Sequence, residues 1–228
     1  MPNRPILIAI DGPAGAGKSA TAREVAVRLG LPYLDTGAMY RAVALLACRR
    51  GLGPALDDAD TDAVVEIARV IEVGFSGDPR AQRVSVAGED VTEALRAPEV
   101  SQMASVVSAI PLVRREMVRR QRELAARAGG VVEGRDIGTV VFPDATLKVF
   151  LTATPEVRAR RRFEELTRRG VAVRWDDVVA EQRERDRRDS TREASPMRPA
   201  EGAVIVDSSG LSLAEVVEAV VALLARTP

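Results

Sequence analysis

Two stretches of this 228-residue chain carry residue types that can do chemistry at their spacing. The first is GPAGAGKS, residues 12–19. It fits the pattern G-x-x-x-x-G-K-[ST], in which glycines let backbone amides turn toward phosphate oxygens. A following helix adds its positive N-terminus, Lys18 supplies a compact charge for β- and γ-phosphates, and the Ser19 hydroxyl is placed for magnesium. The second stretch is EQRERDRRDSTRE, residues 181–193, where arginines and carboxylates interleave. Charge runs at helical spacing usually face water, so a solvated helix face is its first reading.

Composition narrows the chemistry. Lys+Arg of 33 and Asp+Glu of 33 cancel, so no bulk field draws the chain to a nucleic acid or an anionic membrane, and any anion site must be local. Only Lys18 and Lys148 are lysines, and there is no histidine. Imidazole-based acid–base chemistry and most transition-metal sites are thereby excluded. The single cysteine, Cys48 in YRAVALLACRR, has no internal partner and reads as a small buried hydrophobe. No signal-peptide pattern or long apolar span is visible, and a cytoplasmic protein is expected.

The elements that must position these residues follow from periodicity. PILIAI (5–10), PYLD (32–35), GVVEG (130–134), LKVFLT (147–152) and AVIVD (203–207) are short apolar runs of the kind buried in a parallel sheet. Helical patterns lie between them, at roughly 18–29, 37–50, 111–128, 156–169, 176–190 and 212–225. Alternating strands and helices predict an α/β fold with a doubly wound parallel sheet. Residues 58–104 break the rhythm: TDAVVEIARVIE reads as a helix, and two short strands follow, joined by SGDPRAQ. They read as an insertion beside the core.

The phosphate loop predicts a nucleoside triphosphate with magnesium, bound by Gly12, Pro13, Ala14, Gly15, Ala16, Gly17, Lys18, Ser19 and Ala20. Ala20 lacks the second hydroxyl often found there, which leaves the α-phosphate to backbone amides. No Asn-Lys-x-Asp loop for guanine is present: Lys148 sits in TLKVFL with no aspartate two residues on. Transfer to a small acceptor remains. A hydroxyl acceptor needs a base, whereas a phosphate monoester, with a second pKa of about 6, is already dianionic and needs arginine instead. Arginines gather at the predicted strand ends and turns, namely Arg41, Arg135 and the runs at 157–163 and 184–192, which favours a nucleoside monophosphate.

With these motifs in order, the sequence resembles the bacterial cytidylate kinases, the type that phosphorylates CMP and dCMP. IDGPAGAGKS, LDTGAMYRA, GEDVT, VVEGRDIGTVVFPDA, ERDRRDSTR and DSSGLSLAEVV carry the resemblance over nearly the whole chain. It implies a P-loop nucleoside monophosphate kinase fold: a five-stranded parallel sheet flanked by helices, core at 1–57, 105–154 and 171–228, monophosphate-binding insertion at 58–104 and lid at 155–170. It implies ATP and magnesium, and no nucleic-acid or membrane partner; a monomer is expected. It puts Thr36, Arg41, Arg135 and Arg192 around the acceptor phosphate, Ser105, Arg114 and Asp136 on cytosine, and Arg185 and Asp189 on the sugar hydroxyls. Serine at position 36 and aspartate at position 133 are family alternatives, and the role of Glu133 stays open.

TPEVRARRRFEELTRRG, residues 154–170, resembles the family's lid. Among its arginines, Arg158, Arg161 and Arg162 share a helix face. Arg158 and Arg162 join Lys18, Arg135 and Arg192 as the expected charges on the transferring phosphoryl group. In the second stretch Arg185, Asp189 and Arg192 stand at i, i+4 and i+7, one stripe turned to the acceptor, while Arg183, Glu184 and Arg187 face water. A uridylate kinase is disfavoured because a uracil carbonyl would meet the Asp136 carboxylate. An RNA-binding protein is disfavoured because aromatic residues make up only 3% of the chain, too few for stacking platforms.

Overall fold

A computed structural model describes residues 5–126 and 129–227. The expected core limits at 1–4 and 228, and the expected helix end at 127–128, lie outside the described residues. The chain runs β1 (Leu7–Asp11), α1 (Lys18–Leu29), β2 (Tyr33–Asp35) and α2 (Thr36–Arg49). It continues through α3 (Asp58–Val70), β3 (Val73–Ser76), β4 (Arg83–Val86), β5 (Glu89–Asp90) and α4 (Pro98–Val107). It returns with α5 (Pro111–Ala125), β6 (Gly130–Glu133), β7 (Leu147–Thr152), α6 (Pro155–Arg168), α7 (Trp175–Thr191), β8 (Val204–Asp207) and α8 (Leu213–Leu224).

The five expected strands form one parallel sheet in the order β2-β6-β1-β7-β8. Side chains alternate across it, as the two-residue period of a strand requires. Ile8, Ile10, Tyr33 and Val131 enter a cluster with α1 and α8, whereas Ala9, Leu34 and Val132 enter a larger one with α2, α3 and α5. Helix starts follow local chemistry. Ser212 and Glu215 form a capping box at α8, Thr154 caps α6 ahead of Pro155, and Pro111 takes the first position of α5.

Between α3 and α4 the segment carries more structure than its sequence suggests. The two expected strands pair as β3 and β4, with Phe75 opposite Val84, and a third strand, β5, extends the antiparallel sheet. The turn SGDPRAQ contains a short 3-10 turn at Pro79–Ala81. Helix α4 is absent from the sequence reading, although Val100, Met103, Ala104 and Val107 are buried at i, i+3, i+4 and i+7. It runs unbroken across residues 104 and 105, the expected boundary between insertion and core. Val84, Val86, Val91 and Leu95 pack in the same cluster as Met39 and Val43 of α2, so the segment shares the main core. Cys48 is half-buried against that cluster rather than inside it.

Candidate active site

The C-terminal ends of β1, β2 and β6 open onto a cleft of about 670 Å³, the position where parallel α/β sheets bind ligands. The loop from β1 to α1 forms one wall. Gly17, with φ +91°, precedes α1 without any side-chain cap, so the first amides of the helix stay free for an anion. Gly15, at φ +76°, lies where a Cβ would come within 2.9 Å of Arg158 Cβ, so only glycine lets α6 approach this closely. Lys18 is buried, and its Nζ donates to the Pro13 carbonyl at 2.8 Å. Burial, reinforced by the nearby Arg135 charge, pulls its ammonium down to about 7.

The Ser19 hydroxyl donates to Glu133 Oε2 at 2.9 Å, and the Tyr33 hydroxyl donates to Glu133 Oε1. Burial, then the Asp35 charge, raises this carboxyl above its ordinary range. Glu133, whose role the sequence leaves open, is therefore a buried carboxyl beside the phosphate loop. Ser19 and Glu133 present hard oxygen donors of the type magnesium takes, and the carboxylate sits where a cation would relieve its burial. Among the described residues no group of three His, Cys, Asp or Glu side chains is close enough to cage a metal without a substrate. Magnesium bound through one or two protein oxygens and phosphates fits that donor set.

The opposite wall carries the residues expected on the acceptor side. Thr36 Oγ1 donates to the Glu133 carbonyl at 2.7 Å, and Arg41 Nη2 to Asp35 Oδ2 at 2.7 Å. Arg135 Nε donates to Asp189 Oδ2 at 2.9 Å. Burial alone would raise Asp189, but Arg135, Arg185 and Arg192 together hold it low. Arg114 pairs with Asp136, donates to the Ser108 carbonyl at 3.0 Å, and lies 5.4 Å over the Tyr40 ring. Arg192 is 3.8 Å from Asp136 and 3.9 Å from Asp189. Donors remain over: Arg114 Nε, Arg185 Nε and Arg192 Nη2 are buried without a hydrogen-bond partner. Burial, then Arg135, lowers Arg185 to about 10. Several guanidiniums with unused buried donors make a cleft that favours an anion.

Asp136 is presented by a π-helical turn at Ile137–Val141. That turn is held by Asp11, whose carboxylate accepts the Ile137 amide at 2.8 Å and the Gly138 amide at 2.7 Å. Burial raises Asp11 to about 6 against these two bonds.

The structure brings most of the expected site residues to the cleft, while Gly12, Pro13, Ala16, Ser105 and Arg158 are not part of its lining. Lys18, Ser19, Thr36, Arg41 and Arg114 line the cleft, as do Arg135, Asp136, Arg162, Arg185, Asp189 and Arg192. Ser105 and Arg158 are buried outside that lining, Ser105 next to Ala104, which belongs to it. Arg158, expected on the transferring group, is outside the cleft lining and engaged by protein partners. It donates to the Ala14 carbonyl at 3.1 Å and the Ala153 carbonyl at 3.0 Å, and pairs with Asp186 at 2.7 Å, so it is committed to the back of the phosphate loop. Arg161 and Gln182 line the cleft beside it: Arg161 Nη1 donates to Ser208 Oγ at 3.0 Å, and Gln182 Nε2 donates to the Ala14 carbonyl at 3.2 Å. Arg161 enters the sequence reading only through the helix face it shares with Arg158 and Arg162; Gln182 does not enter it, and its place one turn before Arg185 on α7 is the available signal. Arg162 is free of such ties apart from Glu165 at 3.1 Å.

On α7 the expected stripe turns inward, and Arg183, Glu184 and Arg187 face water. Arg192 is one residue past the helix, in extended backbone with ψ 141°, and its Nε returns to the Ser195 carbonyl at 2.7 Å. Loop geometry, rather than helical spacing, completes that stripe.

The family model described as cytidylate kinase matches residues 8–226. A cytidylate kinase of Corynebacterium efficiens is 51% identical over 217 residues, covering 95% of this chain and 93% of that protein. One of Pelotomaculum thermopropionicum is 52% identical over 216 residues, 94% of each. One of Caldanaerobacter subterraneus subsp. tengcongensis is 48% identical over 220 residues, 96% of this chain and 95% of that protein.

Proposed function

The chain belongs to the cytidylate kinase family and is a nucleoside monophosphate kinase, and from that premise we propose that it transfers the γ-phosphoryl group of ATP, in line, to CMP or dCMP. The observation that carries this reading is a single cleft with a phosphate loop on one wall and guanidiniums with unused buried donors on the other. The acceptor phosphate arrives dianionic near neutral pH, so its attack needs no base. It needs charge to approach a second anion, and Arg41, Arg135, Arg185 and Arg192, with the Thr36 hydroxyl, supply it.

Cytosine offers an amino donor to Asp136 and acceptors to Arg114 and Ser105. Asp189 and Arg185 hold the sugar hydroxyls. Lys18 and the loop amides cradle the β- and γ-phosphates, and Ser19, next to Glu133, would hold magnesium. Magnesium there would neutralise charge spread over the phosphate oxygens. Arg162 swings from Glu165 to the transferring group, while Arg158 shapes the loop from behind. All of these residues belong to one chain, so a monomer suffices. Among the described residues no helix is long and apolar enough to cross a membrane.

The test is a coupled assay of ADP release against CMP, dCMP, UMP and AMP. Turnover of CMP and dCMP well above the other two is expected. Equal turnover of UMP or AMP would overturn the roles given to Asp136 and Arg114.

A further inference from the structure

Arg188 is used by neither half of the cleft as described so far. It sits on α7 between the inward stripe and the solvated side, with its side chain 29% exposed. Its Nη1 donates to Ser105 Oγ at 2.7 Å, reaching from α7 to α4. Its other partner, Glu184 Oε1 one turn back, is 3.5 Å away, too long to hold it. Ser105 is itself 5% exposed. Its carbonyl accepts the Ser108 hydroxyl at 3.1 Å, and the Ser108 carbonyl accepts Arg114 Nη1 at 3.0 Å. Arg188, Ser105, Ser108 and Arg114 thus form a chain of hydrogen bonds that ends at Asp136.

The direction of the first bond matters. A guanidinium has donors and no acceptor, so Ser105 Oγ must accept from Arg188, and its own proton is left to point elsewhere. A serine hydroxyl otherwise rotates among staggered positions and can present either a donor or an acceptor to a ligand. Held in this way it has one lone pair taken and its proton left to donate to a ligand. The ring nitrogen of cytosine next to its amino group is an acceptor, whereas the same nitrogen of uracil carries a hydrogen and would oppose that donor.

We propose that Arg188 is a positioning residue for base discrimination: it fixes the Ser105 hydroxyl as a donor to the pyrimidine ring and ties α4 to the α7 stripe. This rests on the reading of Ser105 given under the proposed function. Arg188 touches no substrate atom, and its effect passes through Ser105. Because the pair is partly exposed, its loss costs little folding stability.

The experiment compares Arg188→Met, Arg188→Lys, Ser105→Ala and the double variant Arg188→Met/Ser105→Ala with the unaltered protein. Steady-state kinetics use CMP and UMP, with thermal unfolding of each variant alongside. Arg188→Met keeps the aliphatic stem and removes only the donors. It is expected to raise KM for CMP about tenfold, the effect of losing one charge-assisted hydrogen bond, with kcat within about twofold. Its preference for CMP over UMP narrows, Arg188→Lys recovers part of the loss, and the double variant matches Ser105→Ala alone. A folded Arg188→Met with unchanged KM overturns the proposal, as do additive losses in the double variant or equal losses for CMP and UMP. If Ser105→Ala leaves KM for CMP unchanged, or the unaltered protein fails to turn over CMP, the reading of the cleft falls first and the role of Arg188 with it.

Discussion

At Asp11, the last residue of β1, one buried carboxylate accepts the amides of Ile137 and Gly138 and so joins the start of the phosphate loop to the turn that carries Asp136. Burial raises its folded pKa to about 6, above the value of 3.8 for an exposed aspartate. A group raised on folding contributes stability that is fully present below about pH 4 and is lost as pH rises through about 6. Asp11→Asn puts an amide donor where one carboxylate oxygen accepted, which destabilises the fold by about 1–3 kcal/mol at pH 4. In urea unfolding the gap between the two proteins is expected to shrink from pH 4 to pH 7; a gap that widens would mean that the carboxyl titrates low instead. Arginines on the charged stretch divide just as sharply. The Arg192 side chain is 4% exposed among Asp136 and Asp189, whereas that of Arg187 is 65% exposed beside Glu184. Arg192→Ala should lower kcat/KM by about a hundredfold or more, the scale of a lost transition-state charge, while Arg187→Ala changes it by less than about twofold. Equal losses in the two would show that the stripe faces the other way.

Among the elements, α6 is tied to the phosphate loop at its first turns and faces the cleft mouth further along. Arg158 and Arg161 donate to the Ala14 and Ala16 carbonyls, and at the far end Arg169 Nη1 donates to the Arg96 carbonyl at 2.8 Å. Arg158→Met therefore loosens the loop and leaves Asp186 without its partner. The expected result is an increase of about tenfold in Kd for ATP by calorimetry, with CMP affinity unchanged. Weaker CMP binding to the same degree would put Arg158 in the shared cleft after all. The contrast between α6 and the strands says what a sequence can convey. Five apolar runs and a glycine-lysine loop are local patterns, and they placed the sheet and the loop that lines the cleft. Helix α4 begins with proline and carries serines on its apolar side, which hides its period; β5 has two charged residues and no period at all. The π turn depends on a carboxylate 126 residues earlier in the chain. Whether Arg158 or Arg162 faces the triphosphate depends on partners supplied by other elements, so spacing on α6 could not separate them.

For the molecule as a whole, the segment between α2 and α5 has its own antiparallel sheet but no core of its own. Val84 and Val86 of β4 are buried in the cluster that holds Met39 of α2, Val64 of α3 and Met117 of α5. Apolar area buried in common makes the parts unfold together, since exposing one strips the contacts of the other. The single tryptophan, Trp175, gives a local probe elsewhere: it opens α7 and packs edge-on against Phe163 of α6, with ring centres 5.8 Å apart. Val86→Ala removes buried methyl groups from the sheet of the inserted segment, at a cost of roughly 2 kcal/mol. If the core is shared, this substitution moves the tryptophan fluorescence transition in urea by the same amount as the circular dichroism transition, and the two curves stay superimposed. If the segment folds as a separate unit, the fluorescence midpoint stays where it was while the dichroism curve splits into two steps. A single shifted transition is expected, because the cluster between α2 and the small sheet is continuous.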